Sequence, residues 1–144
     1  MYIILEFVLF TFVVYWIHRL AHIIPYIGYF HNDHHKMVNK QQLWGWHWSN
    51  FFLFNDSWKS TADLWITEVI PLIILSFIFN SWYLFGIYYV WAAIFQERIE
   101  HNGNFDMKYI TSGKWHLFHH KQPKYNFGIF FPVWDMIFGT YKHV

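Results

Sequence analysis

Apolar residues run almost unbroken from Met1 to Ile17, interrupted only by Glu6 and Thr11. Seventeen helical residues rise roughly 26 Å at about 1.5 Å each, close to the lower limit for crossing a bilayer. This predicts a membrane helix that continues through His22 and stops before Pro25. Residues 26–42 are polar and rich in histidine. From 43 to 65 the chain is apolar but broken, with Trp44, Trp46, Trp48, Trp58 and Trp65. Tryptophan favours the membrane–water boundary, so this stretch is expected to lie along the interface. A second strongly apolar region, Leu64 to Phe95, contains Glu68, Pro71 and a polar break at Asn80-Ser81. As one helix it would reach about 45 Å, against a hydrocarbon core about 30 Å thick. The alternative is a helical hairpin turning at Asn80-Ser81, with two rather short arms. Residues 98–144 are polar with scattered aromatics. No repeat or low-complexity linker divides the chain, so 1–144 reads as one domain.

Charge decides between one long helix and a hairpin. The basic residues are Arg19, Lys36, Lys40, Lys59, Arg98, Lys108, Lys114, Lys121, Lys124 and Lys142. A hairpin puts all of them on one side of the membrane, and the positive-inside bias makes that side cytoplasmic. It also gathers every histidine there. Asn55-Asp56-Ser57 fits a glycosylation sequon, but this topology keeps it in the cytoplasm. The N-terminal apolar run lacks the leading positive charge of a signal peptide and is read as a retained membrane helix. With an odd number of crossings, the N-terminus is expected outside. The fold class that follows is an all-α integral membrane protein. It has one N-terminal helix, a helical hairpin and a cytoplasmic histidine-rich helical cap.

Composition narrows the chemistry. Aromatics make up 26% and charged residues 13%, about half the charged share of an ordinary soluble domain. A net charge of +1 and the lack of a basic run argue against nucleic acid as a partner. There is no cysteine, so disulfides, thiolate nucleophiles and iron–sulfur clusters are excluded. Eleven histidines remain to be explained.

Most of them fall in spaced elements. His18 and His22 are four apart and share a helix face. His31-Asn-Asp-His34-His35 and His116-Leu-Phe-His119-His120 both read H-x-x-H-H. Within such a box, residues at i+3 and i+4 can diverge toward two different ions. Glu97 and His101 are again four apart. Glu97 could equally pair with Arg98 or Lys108 at a helix exit. His47, among tryptophans, reads as a boundary residue, and His143 lies in the tail. Nine clustered histidines exceed one tetrahedral shell and suit two ions. Neutral nitrogen donors suit zinc, copper or iron, and iron is the one that activates O₂ toward an unactivated C–H bond.

In the order of these motifs the chain resembles the fatty acid hydroxylase/sterol desaturase superfamily of membrane di-metal oxidases. The resemblance runs from His18 to Thr140. It includes Asn126-Phe127-Gly128, Trp134-Asp135 and Phe138-Gly139-Thr140 near the end. It implies metal ligands at His18, His22, His31, His34, His35, His101, His116, His119 and His120. Glu97 stands where some members have a further histidine, so it is a tentative carboxylate ligand. The implied activity is hydroxylation of a fatty acyl chain or sterol by a di-iron centre, with zinc possible in a purified sample. Desaturation on the same fold and a non-catalytic membrane metal-binding role are the alternatives. Implied partners are a lipid from the bilayer, O₂, and an electron donor such as cytochrome b5 or ferredoxin with its reductase. The membrane would be endoplasmic reticulum or bacterial inner membrane. Many relatives have an extra N-terminal hairpin, so part of a substrate tunnel wall could come from a second protomer in a homo-oligomer. Glu100 and Asp135 are candidates for orienting imidazole N–H groups, with helix capping as the other role for Asp135.

Overall fold

The computed structural model describes residues 2–43 and 45–144; Trp44, expected at the interface, lies outside the described residues. Regular structure among the described residues is entirely helical. Helix α1 spans Ile3–Ala21 and α2 spans Pro25–Asn39. A 3-10 turn at Trp48–Phe52 leads into α3, Trp58–Ile78. The chain returns as α4, residues 83–99. Two short helices follow, α5 (Lys114–Lys121) and α6 (Val133–Ile137).

The hairpin turns where the polar break predicts. Asn80 adopts a left-handed φ of +49°, and Ser81 N donates to Ser76 O at 3.0 Å. Asparagine tolerates that conformation better than most residues. The first arm is longer than expected, because residues 58–65 form its opening turns. The cause is local: Ser57 caps the helix, its Oγ accepting from Ser60 N at 3.1 Å. The 21 residues of α3 reach about 31 Å, the thickness of a hydrocarbon core.

Both arms carry a π-helical segment, Trp65–Val69 and Trp91–Gln96. The first directly precedes Pro71, which has no N–H to give the preceding turn. The wider π turn absorbs that loss, and Thr67 Oγ1 donates to Asp63 O at 2.7 Å beside it. In the second, Ala93 O accepts from the Trp46 indole N–H at 2.9 Å, which ties the loop before α3 to α4.

Helix α1 packs on both arms. Phe10 and Val14 meet Leu72, Leu75, Leu84 and Tyr88 in the core, with the Phe10 and Tyr88 rings 5.6 Å apart, edge to face. The outer faces stay apolar, with Ile4, Ile74, Phe77 and Ile87 exposed. An apolar exterior over helices of this length suits a membrane protein. At the other end of α1 the chain turns sharply into α2. Pro25 takes the first helical position, and a Cβ on Gly28 would sit only 2.5 Å from Ala21 O. That close approach brings residues 31–35 over His18 and His22.

Candidate metal centre

Nine histidine side chains converge at the α1–α2 corner, and they divide into two groups. His18, His22, His31, His35 and His119 form one, and His34, His101, His116 and His120 the other. Within each group the ligand atoms lie within 4.8 Å of one another. Each H-x-x-H-H box serves both groups. His31 and His35 enter the first while His34 enters the second; His116 and His120 enter the second while His119 enters the first.

The first group faces its nitrogens inward, and one contact among them is not explained by any hydrogen bond. His18 Nδ1 meets Phe127 O at 2.7 Å, and His119 Nδ1 meets Tyr125 O at 2.7 Å. A carbonyl can only accept, so in each ring Nδ1 carries the hydrogen and donates. His31 Nδ1 likewise donates to Asp63 Oδ2 at 2.9 Å. In the neutral rings of His18 and His119 each Nε2 is therefore a bare lone pair. Yet His18 Nε2 is 3.0 Å from His119 Nε2, His119 Nε2 is 3.1 Å from His22 Nε2, and His22 Nε2 is 3.0 Å from His31 Nε2. His18 and His119 thus meet lone pair to lone pair, which repels unless a cation lies between them, whereas His22 Nε2 can carry a hydrogen and donate to either neighbour. At a metal–nitrogen distance of about 2.1 Å, a 3.0 Å edge subtends about 90°, whereas a tetrahedral edge would be about 3.4 Å. The donors fit neighbouring positions of a five- or six-coordinate ion.

The second group repeats the edges, with His101 Nε2 to His34 Nε2 at 3.2 Å and His120 Nε2 to His116 Nε2 at 2.9 Å. Its rings are less firmly held from behind, since the Nδ1 atoms of His101 and His120 are buried without a hydrogen-bond partner. Glu100 Oε1 lies 3.5 Å from His116 Nε2, so this carboxyl approaches the metal-facing edge and not the rear of a ring. Glu97 is outside both groups; its Oε1 accepts from Asn55 Nδ2 at 2.9 Å. His47 is also outside them and caps the 3-10 turn, accepting from Ser49 N. Asp63, which holds His31, carries no local sequence signal, because the two lie 32 positions apart.

Comparison with known proteins decides the family. The fatty acid hydroxylase family matches residues 3–140. The chain belongs to the fatty acid hydroxylase family. It is also similar to two Delta(7)-sterol 5(6)-desaturases of Aspergillus fumigatus. It is 30% identical to erg3A over 98% of this chain and 38% of that protein. It is 27% identical to erg3C over 90% of this chain and 44% of that protein. The chain thus spans less than half the length of these curated relatives. No solved structure gave a significant match.

The C-terminal residues of this fatty acid hydroxylase family member act as a clamp on the first group. Buried Asp135 accepts from Phe127 N at 2.8 Å, Gly128 N at 2.8 Å and Thr140 Oγ1 at 2.7 Å. It neither orients an imidazole directly nor caps a helix, as either sequence reading had it. It fixes the peptide whose carbonyl holds His18, acting one link further out. The buried face of α1 meets the same clamp at i, i+4 and i+7. Thr11 Oγ1 accepts from the Trp134 indole at 3.1 Å, Tyr15 OH lies 2.8 Å from Thr140 Oγ1, and His18 reaches Phe127.

Burial favours the neutral form, the one that binds metal, at His22, His34, His101, His116, His119 and His120. Desolvation lowers His22 and His34 to about 4 and His119 to about 3. It also lowers His101, His116 and His120, with further lowering from neighbouring rings. In the unfolded chain these groups titrate near 6.5. As pH falls below about 6.5 the unfolded chain takes up protons that the folded one refuses, so stability declines through that window down to about 4. The metal-free protein in detergent should therefore melt lower at about pH 5 than at about pH 7.5; equal melting temperatures would mean that the rings are solvated.

Proposed function

We propose that this protein is an O₂-dependent lipid oxidoreductase that holds two iron ions, one in each histidine group. The observation that carries the reading is the contact of the His18 and His119 Nε2 lone pairs at 3.0 Å, with both tautomers fixed from behind, inside two groups of converging imidazoles. Iron there would supply O₂ activation and oxidation of an unactivated C–H bond. The protein's part is to hold the donors, leave room for O₂, and present a fatty acyl chain or sterol beside them. An external donor such as cytochrome b5 or ferredoxin with its reductase supplies the electrons. The hairpin and the clustered basic residues support a cytoplasmic histidine cap on an endoplasmic reticulum or bacterial inner membrane. Hydroxylation is the reading that the family's name favours, and sterol desaturation is favoured by the printed names of the two Aspergillus proteins.

Lipid mass spectrometry of cells with and without expression separates these. A gain of one oxygen supports hydroxylation and a loss of two hydrogens supports desaturation. An unchanged lipid profile from protein carrying both ions would reject oxidation in favour of metal binding alone. A reporter fused after Val144 should read as cytoplasmic, and an exported signal would reject the topology.

A further inference from the structure

A small cavity of about 40 Å³ lies against both histidine groups, touching His18 and His31 of the first and His34 and His116 of the second. Much of its remaining wall is acidic: Asp56, Asp63, Glu68, Glu97 and Glu100 all line it, and no lysine or arginine does. It is too small and too polar for a lipid chain. A groove of about 440 Å³ beside His101 and His120, with Val38, Leu43 and Leu117 in its wall, offers far more room. Water is the occupant that the cavity suits, because buried polar atoms lining it lack protein partners. Gln96 is 3% exposed and its Oε1 has no hydrogen-bond partner, although its Nε2 donates to Glu68 Oε1 at 3.2 Å. Glu97 Oε2 is likewise buried without a partner.

Glu97 is also the member with a connection outward. Its Oε1 accepts from Asn55 Nδ2, and Asn55 Oδ1 accepts from Asn50 Nδ2, each at 2.9 Å. Asn50 Oδ1 accepts from the backbone N–H of exposed His47 at 2.6 Å. The two buried amides pin one oxygen of the carboxyl and leave the other for the cavity.

We propose that this cavity is a water-filled proton chamber serving the metal pair, and that Glu97 passes protons into it. The inference rests on the oxygenase reading above and assigns Glu97 a place beside the ions and not on one. The balance requires such a supply. To hydroxylate a C–H bond, one oxygen atom of O₂ enters that bond and the other leaves as water. This consumes two electrons from the haem or iron–sulfur donor and two protons. Asp56, Glu68 and Glu100 face the same chamber.

Glu97→Gln keeps the acceptor for Asn55 and removes the acid. In the zinc-loaded protein, infrared difference spectra between H₂O and D₂O should show a protonated carboxyl band that weakens in Glu97→Gln and persists in Glu97→Asp. Metal content should stay at two ions per chain in both variants. In iron-loaded protein given reductant, Glu97→Gln should slow single-turnover product formation by about tenfold to a hundredfold and enlarge the solvent isotope effect, with partial recovery in Glu97→Asp. A wild-type spectrum without a protonated carboxyl, an unchanged rate, or loss of a metal ion in Glu97→Gln would each overturn the proposal. If the wild type oxidises no lipid, the oxygenase reading fails by itself, and the infrared band still decides whether the chamber holds its protons.

Discussion

His119→Ala should leave the protein with about one metal ion per chain instead of two, and should cut lipid oxidation by more than about 100-fold, beyond what changes outside the ligand shell usually cost. The expectation follows from position. His119 is fully buried, and its Nε2 lies 3.0 Å from that of His18 and 3.1 Å from that of His22. Removing it takes away the donor shared by two edges of the first group. The second group, built from His34, His101, His116 and His120, keeps all its members. Metal analysis of the purified variant checks this directly, and an unchanged two ions per chain would rule out His119 as a ligand. Lys121→Ala, an exposed change one turn-end away on α5, is the matching control and should keep both ions.

Asp135→Ala should be the most damaging change outside the histidines. The carboxylate is fully buried and accepts from two backbone N–H groups and the Thr140 hydroxyl. Alanine leaves all three donors without their acceptor in a site closed to water. A buried orphan costs about 1–3 kcal/mol, so the total loss should be roughly 3–5 kcal/mol. The peptide at Phe127 also loses its fixed direction, and with it the acceptor for His18 Nδ1. Affinity for the first ion should then fall about 10- to 100-fold, as when an outer partner of a metal-bound histidine is removed. Thermal unfolding and metal titration in detergent measure the two effects. Stability within about 1 kcal/mol of wild type would show that the clamp does not depend on Asp135. Asp135→Asn should fall between the two, since it keeps one acceptor oxygen but turns a donor toward the backbone N–H groups.

What the sequence displays best is the part with a local period. The i, i+3, i+4 spacing of the H-x-x-H-H boxes lets neighbouring histidines part toward different groups. The structure separates His34 from His35 and His119 from His120 in this way. The hairpin is equally local, because Asn80-Ser81 interrupts an apolar run too long for one crossing. The rear anchors are less legible. Asp63 reaches His31 across 32 positions, and His18 and His119 are held by main-chain oxygens, which have no letter in a sequence. The first turns of α3 are hidden for another reason. The helix starts at Ser57, whose capping contact stands outside the apolar run that marks the arm. The acid-lined cavity draws on residues from His18 to Ile129, and its carboxyls, spread from Asp56 to Glu100, share no period that would announce a common wall.

A metal ligand anchored on a backbone carbonyl has an unusual relation to mutation. No substitution at Tyr125 or Phe127 can delete the oxygen that holds His119 or His18, since every amino acid brings the same one. What can be lost is the route of the loop that aims it. That route closes most tightly at Gly128, where a Cβ would stand 2.5 Å from Phe131 O and 2.8 Å from Asp135 Oδ2. Two side chains help to keep that path: buried Phe127 packs its ring 5.5 Å from that of His119, and Asn126, at φ +59°, bonds both main-chain groups of Lys142. The constraint on the first histidine group is thus partly the absence of one carbon atom.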